Sequence, residues 1–183
     1  MMTPFLQTER LIIRNWNPQE DATAAFEIYG NPTVMQYIRQ PEESIAAVQT
    51  YLEKRVKRDQ HRNNGSGSWP VIEQKTGELI GAILLQQLPD NEGQLTQDFE
   101  IGWHFNRSHW GKGFATEAAQ CMINYGFEIL KLPILYAVVK PENQSSIRVT
   151  QRLNMEPLGR TNQYYGVELL LFKLIQDKTQ SKR

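Results

Sequence analysis

Apolar positions along the chain follow two periods, and the way those periods alternate predicts a mixed α/β order. Residues 9–16 (ERLIIRNW) are a short apolar run between polar flanks and predict a strand. Asn17, Pro18 and Glu20 then stand where an N-cap, a first helical residue and a capping-box partner belong, which predicts a helix ending at Gly30. A turn at Asn31 and Pro32 and a segment over 34–38 lead to a longer helix opened by Pro41. In it Ile45, Val48, Tyr51, Leu52 and Val56 keep helical spacing. The polar stretch 63–68 (NNGSGS) reads as a loop.

Strands at 69–73 and 78–87, joined by a Lys75-Thr76-Gly77 turn, read as an antiparallel hairpin. After a polar loop at 89–94, residues 98–105 (DFEIGWHF) alternate strictly, with Phe99, Ile101, Trp103 and Phe105 on one face and Glu100 and His104 on the other. Residues 115–130 form an amphipathic helix, 133–139 an apolar strand, 144–153 a short helix and 167–175 a final strand. The tail, 176–183, is expected to fray. The fold class is therefore α/β (α+β), with a mixed sheet, helices on both faces and a single domain over 1–183.

Charge narrows the functions open to such a fold. Twenty Lys and Arg balance 20 Asp and Glu, which leaves no basic excess for nucleic acid or an anionic membrane surface. One cysteine, Cys121, and three histidines allow neither a disulfide nor a cysteine-based zinc site, so no metal is expected. No long apolar run or secretory pattern stands out, and a cytoplasmic location is expected.

Chemistry concentrates at WGKGFATE, residues 110–117, between the predicted strand ending at Phe105 and the helix starting near Ala115. Glycines at 111 and 113 would let the loop curl its amides and the helix N-terminus around a phosphate, with Lys112 adding charge. A glycine turn that only connects strand to helix is the alternative. The dinucleotide fingerprint fails here, because Thr116 occupies its third glycine position.

The segment resembles motif A of the GNAT superfamily of acyl-CoA-dependent N-acetyltransferases, [QR]-x-x-G-x-[GA]. With Trp110 at its head, WGKGFATEA is similar to the wording of the RimJ/RimL-like branch, ribosomal-protein N-terminal acetyltransferases. LQTERLIIR near the N-terminus, EIGW at 100–103 and PENQSSIRVTQRLNM at 141–155 resemble the family's opening strand, central strand and motif B, in the required order. Asn154-Met155 stands where Gly-Phe or Gly-Met is commoner.

The resemblance implies a mostly antiparallel sheet of six to seven strands, splayed at a central parallel pair formed by 98–105 and 133–139. It also implies acetyl-CoA as co-substrate, with Trp110, Gly111, Lys112, Gly113, Phe114, Ala115 and Thr116 at the pyrophosphate. Ile101 and Trp103 would offer strand backbone to the acyl arm, and Asn143 and Ser146 would lie beside the pantetheine and sulfur. The partner is an amine acceptor, either a peptide N-terminus or a small amine, and the state a monomer or homodimer.

An amine that is protonated at neutral pH needs a base, and the resemblance points to Glu100, a solvated strand carboxylate being the alternative. The family's usual acid, a Tyr seven residues after Asn143, is Thr150 here. Ser146 is the candidate acid, unless it serves only its own helix, with Tyr136, Tyr164 and Tyr165 in reserve. Cys121, on a helix face among small residues, reads as core. Acceptor choice is expected from 18–62 and from the loops at 88–96 and 160–167, with Glu42 and Glu43 as candidate contacts for a cation. Trp69 and Tyr164 are candidates for a dimer surface or, equally, for the core. A non-catalytic acyl-CoA-binding module of the same fold is the alternative function.

Overall fold

Two helix starts show how local chemistry sets the architecture. Asn17 caps α1 (Pro18–Tyr29) by accepting from the Glu20 N–H, but Asp21 rather than Glu20 returns the bond, its carboxylate accepting the Asn17 N–H at 2.8 Å. Asp21 also pairs with Arg14 through two short hydrogen bonds, which fixes the entry of α1 beside the preceding strand. The long helix α3 (Ile45–Arg62) starts four residues beyond Pro41, because Ser44 accepts from the Ala47 N–H and supplies the cap that the proline cannot. Residues 34–38 are partly taken up by a short helix, α2 (Pro32–Met35), capped by Asn31.

The computed structural model describes residues 5–176. The strands are β1 (Leu6–Gln7), β2 (Leu11–Ile13), β3 (Gly67–Glu73), β4 (Leu79–Pro89), β5 (Leu95–Phe105), β6 (Ile134–Val139), β7 (Glu156–Thr161) and β8 (Leu169–Ile175). Helices α4 (Phe114–Glu128) and α5 (Gln144–Arg152) fall between β5 and β6 and between β6 and β7. One mixed sheet has the order β1-β2-β3-β4-β5-β6-β8-β7. Its eight strands exceed the six to seven expected. β1 has only two residues, and β7 is a mostly exposed edge strand with a bulge between Pro157 and Gly159, so neither carries an apolar period.

The β5–β6 pair is parallel, whereas β1–β2, β2–β3, β6–β8 and β7–β8 are antiparallel. Among the described residues the parallel pair has a single register partner, Glu100 opposite Tyr136, so two strands of 11 and 6 residues meet at one point and splay. The expected tail, 176–183, lies outside the described residues except for Gln176.

The chain forms two compact units. The first holds residues 1–84 and 103–121, and its core joins Trp16, Ala22, Ala25, Ile28, Tyr29, Val34, Met35, Val48, Leu52 and Ala82. Trp69, a candidate for either a dimer surface or the core, is buried there, its indole stacked on Phe5 at 5.0 Å. The second holds residues 85–102 and 122–183, with Leu85, Ile101, Met122, Leu135, Ala137 and Phe172 buried. Gly126 of α4 lets that helix lie close to Leu85 and Leu135, since a Cβ there would sit 3.3 and 3.2 Å from their methyls. Tyr164, the other such candidate, is buried too and donates to Asp98 at 2.7 Å.

Candidate active site

The loop between β5 and α4 is closed by its own tryptophan. After Phe105 a short 3-10 turn, Arg107–His109, leads to Trp110, whose indole N–H donates back to the Phe105 carbonyl at 2.7 Å. That bond gives the aromatic a structural task of its own. Gly111 and Gly113 then take φ of 76° and 83°, in the left-handed region that side chains other than glycine resist. A Cβ at Gly111 would meet nothing within 4 Å, and one at Gly113 only Arg10 Nη2 at 3.4 Å. The glycines are therefore required by the backbone path, and the loop's open side remains bare of side chains.

Phe114 anchors the start of α4 by its buried ring, while Ala115 and Thr116 complete the first turn. The first helical bond runs from the Glu117 N–H to the Gly113 carbonyl, so the amides of Phe114 to Thr116 have no acceptor within the helix. Thr116 Oγ1 is buried and has no partner among the described residues. Bare glycines, amides without a helical acceptor, a hydroxyl without a partner among the described residues and exposed Lys112 are the set that a phosphate group needs.

Sequence reasoning missed the clamp that holds this loop. Glu117 accepts from Thr8 Oγ1 at 2.6 Å, from the Arg10 N–H at 3.1 Å and from Arg10 Nε at 2.6 Å. Arg10 Nη1 donates to the Lys112 carbonyl at 3.0 Å, and its guanidinium lies 4.5 Å from the centre of the Phe114 ring. Partial burial pushes the Glu117 carboxyl up, but the hydrogen bonds from Thr8 and Arg10, with the Arg10 charge, outweigh it and hold the group below its ordinary range. The signal was present, since Thr8 and Arg10 lie in LQTERLIIR and Glu117 in WGKGFATEA, but nothing in either segment says that they touch.

Cys121, expected in the core, is half-buried. Burial, then the Glu117 charge, push its thiol up, which suits neither a nucleophile nor a redox group.

In the second unit Glu100 is 6% exposed. Its Oε1 accepts from Gln86 Nε2 of β4 at 2.9 Å and from the hydroxyl of Tyr165, so the carboxylate is fixed in orientation rather than solvated. Tyr165 was only a reserve candidate, and no spacing rule relates it to a residue 65 positions earlier. It is presented by a turn with left-handed Tyr165 and Gly166, φ 60° and 64°. Asn91 secures that turn, accepting from the Gly166 N–H and donating to the Asn162 carbonyl. The two loops expected to choose the acceptor are thus tied together by one side chain.

Asn143 caps α5, its Oδ1 accepting from the Ser146 N–H at 3.1 Å and from Ser145 Oγ at 2.8 Å. This brings Asn143 and Ser146 to one helix end and leaves the Asn143 amide NH2 for another acceptor. Thr150, in place of the family's tyrosine, is fully buried and donates to the Ile147 carbonyl at 2.8 Å, so it cannot act as an acid. On β5 the Ile101 side chain is buried and Trp103 partly so, leaving the strand backbone as what they can offer. Glu42, a candidate for attracting a cation, is paired with Arg39 at 2.6 Å.

Residues 10–156 match the model of the acetyltransferase (GNAT) domain family. The uncharacterized N-acetyltransferase p20 of Bacillus licheniformis is 31% identical over 177 residues, covering 93% of this chain and 96% of its own. The spermidine N(1)-acetyltransferase of Escherichia coli K12 is 26% identical over 77% of this chain and 70% of its own. A crystal structure of a GNAT-family acetyltransferase from Bacillus anthracis superposes with a TM-score of 0.76 at 26% identity, covering 93% of this chain and 97% of that one.

Proposed function

The chain belongs to the GNAT family of acyl-CoA-dependent N-acetyltransferases, and we propose that it carries the acetyl group of acetyl-CoA to a primary amine with Glu100 as the base. The observation that carries this reading is the Glu100 carboxylate, buried on the splayed strand and oriented by Gln86 and Tyr165. The amine must be neutral to attack, and a fixed, water-poor carboxylate is suited to take its proton. The new N–C bond forms as the C–S bond breaks, and the backbone N–H groups of Ile101 and Trp103 are the candidate donors to the carbonyl oxygen. CoA leaves as a thiolate, a leaving group that needs little assistance, so the buried Thr150 costs the chain little. Ser146 remains the candidate for protonating the sulfur.

The Trp110 to Thr116 loop is our pyrophosphate site and Asn143 our pantetheine contact, within one acetyltransferase domain over 1–183. The unbroken WGKGFATEA supports the RimJ/RimL-like branch, and the name of the E. coli relative supports nitrogen as the acceptor atom. The acceptor is a peptide N-terminus or a small amine.

The test is release of free thiol from acetyl-CoA across a panel of amines and Ser- or Ala-starting peptides, comparing the parent with Glu100→Gln. We expect turnover on one class, lowered about 10²- to 10⁴-fold at neutral pH by the substitution, with recovery as pH rises and the amine deprotonates unaided. Unchanged turnover in the variant would remove Glu100 from the chemistry. Tight CoA binding with no thiol release on any amine would favour the non-catalytic module.

A further inference from the structure

The first unit contains a group of polar side chains that the transfer chemistry does not use. Tyr29 of α1 is fully buried, with the Tyr51 ring of α3 at 5.1 Å and the His104 ring of β5 at 5.9 Å, both edge-on. The Arg39 guanidinium lies 4.1 Å from the centre of the Tyr51 ring and 5.8 Å from that of Tyr29. The Arg55 guanidinium lies 5.7 Å from the centre of the Tyr51 ring and donates to its hydroxyl. Four atoms of this group are buried without a hydrogen-bond partner among the described residues: Tyr29 Oη, Arg39 Nη2, Arg55 Nε and His104 Nδ1. A few such atoms scattered through a folded protein are ordinary, but four gathered around two rings ask for a ligand.

Charge says which kind. Arg39 is balanced by Glu42. Arg55, 6% exposed, has no ion-pair partner among the described residues. Asp59, whose charge acts on it, is engaged by Arg58 at 2.9 Å and by the Ser68 N–H at 3.1 Å. His104 is neutral, because burial and then the Arg55 and Arg39 charges lower its ring to about 3. One buried positive charge is left uncompensated, a costly arrangement without an anion. A carboxylate brings one negative charge and about four lone-pair positions on two oxygens, which matches four donors when His104 carries its proton on Nδ1.

We propose that Tyr29, Arg39, Arg55 and His104 form a binding site for a small carboxylate, a site that does not depend on the transfer chemistry. A polycation would bring only like charge to this site, whereas the carboxylate of an amino acid would complete it.

Acetate titrated into the full chain at constant ionic strength, read by the His104 ring resonances, tests the site directly. We expect a saturable shift, with the dissociation constant raised at least about tenfold in Arg55→Met and by a smaller factor in Tyr29→Phe, which removes only a hydroxyl. An apolar replacement of a buried charge is often tolerated, and circular dichroism checks that both variants fold.

No saturable shift, or equal acetate affinity in parent and variants, overturns the site.

Discussion

Glu117→Gln separates a loop that holds acetyl-CoA from a loop that merely folds. The amide keeps Oε1, and with it the bonds from Thr8 and the Arg10 N–H, but its NH2 replaces Oε2 and faces Arg10 Nε, donor against donor. A charge-assisted bond of this kind is worth about 1.5–3 kcal/mol when shielded. The Arg10 side chain is 43% exposed and that of Glu117 21%, so solvent offsets part of it and about 1–1.5 kcal/mol is expected to be lost. Arg10 also holds the Lys112 carbonyl, so the loss falls on the backbone that presents Gly111 to Ala115.

We therefore expect the acetyl-CoA KM to rise about five- to tenfold with kcat nearly unchanged, and CoA titration calorimetry to show the same loss. Arg10→Met combined with Glu117→Gln should show coupling of about 1 kcal/mol. Because the Glu117 carboxyl is held low in the fold, its contribution is complete above the unfolded value of ~4.3 and fades as pH falls through the lower folded one. The variant should lack that acid dependence. An unchanged KM with a lowered Tm would refute the role in CoA binding and leave the clamp purely structural.

Tyr165→Phe removes a donor to Glu100 and should lower kcat about tenfold or less, against the larger loss in Glu100→Gln; equal losses would make Tyr165 a reactant rather than a positioning residue. Gly113→Ala forces a side chain to φ of 83° at about 1–2 kcal/mol, and steady-state kinetics should show the acetyl-CoA KM rising about 5- to 30-fold, whereas lost stability without a KM change would argue against a phosphate at that loop. Gly81→Ala places a Cβ 2.5 Å from the Phe105 ring, so calorimetry should show Tm falling roughly 3–10 °C for about 1–3 kcal/mol of overpacking; an unchanged Tm would mean that the ring moves aside freely.

What the sequence revealed and what it hid divide along the range of the interactions. The strand that carries Glu100, the glycine loop and the capped helix of Asn143 were legible because each is written in consecutive residues: a period of two, a pair of left-handed turns, an Asx cap. The start of α3 was misplaced by a local competition, Pro41 offering a first-turn residue and Ser44 a cap, which the cap won by satisfying an amide. β7 was hard to see because a bulged, exposed edge needs no apolar pattern.

The site's fine structure was hidden for a different reason. The Thr8–Arg10–Glu117 clamp, the Tyr165–Glu100 bond and the Tyr29, Arg55 and His104 group each join residues separated by at least 26 positions, and pairing at that range is fixed by the sheet, not by spacing. Arg55 shows the limit best. In sequence it is one charge among Val48, Tyr51 and Leu52 on the apolar arc of the helix, and a guanidinium that snorkels to solvent is the ordinary expectation. In the fold it is buried against Tyr51 with no ion-pair partner among the described residues, and it becomes the strongest argument for a bound carboxylate.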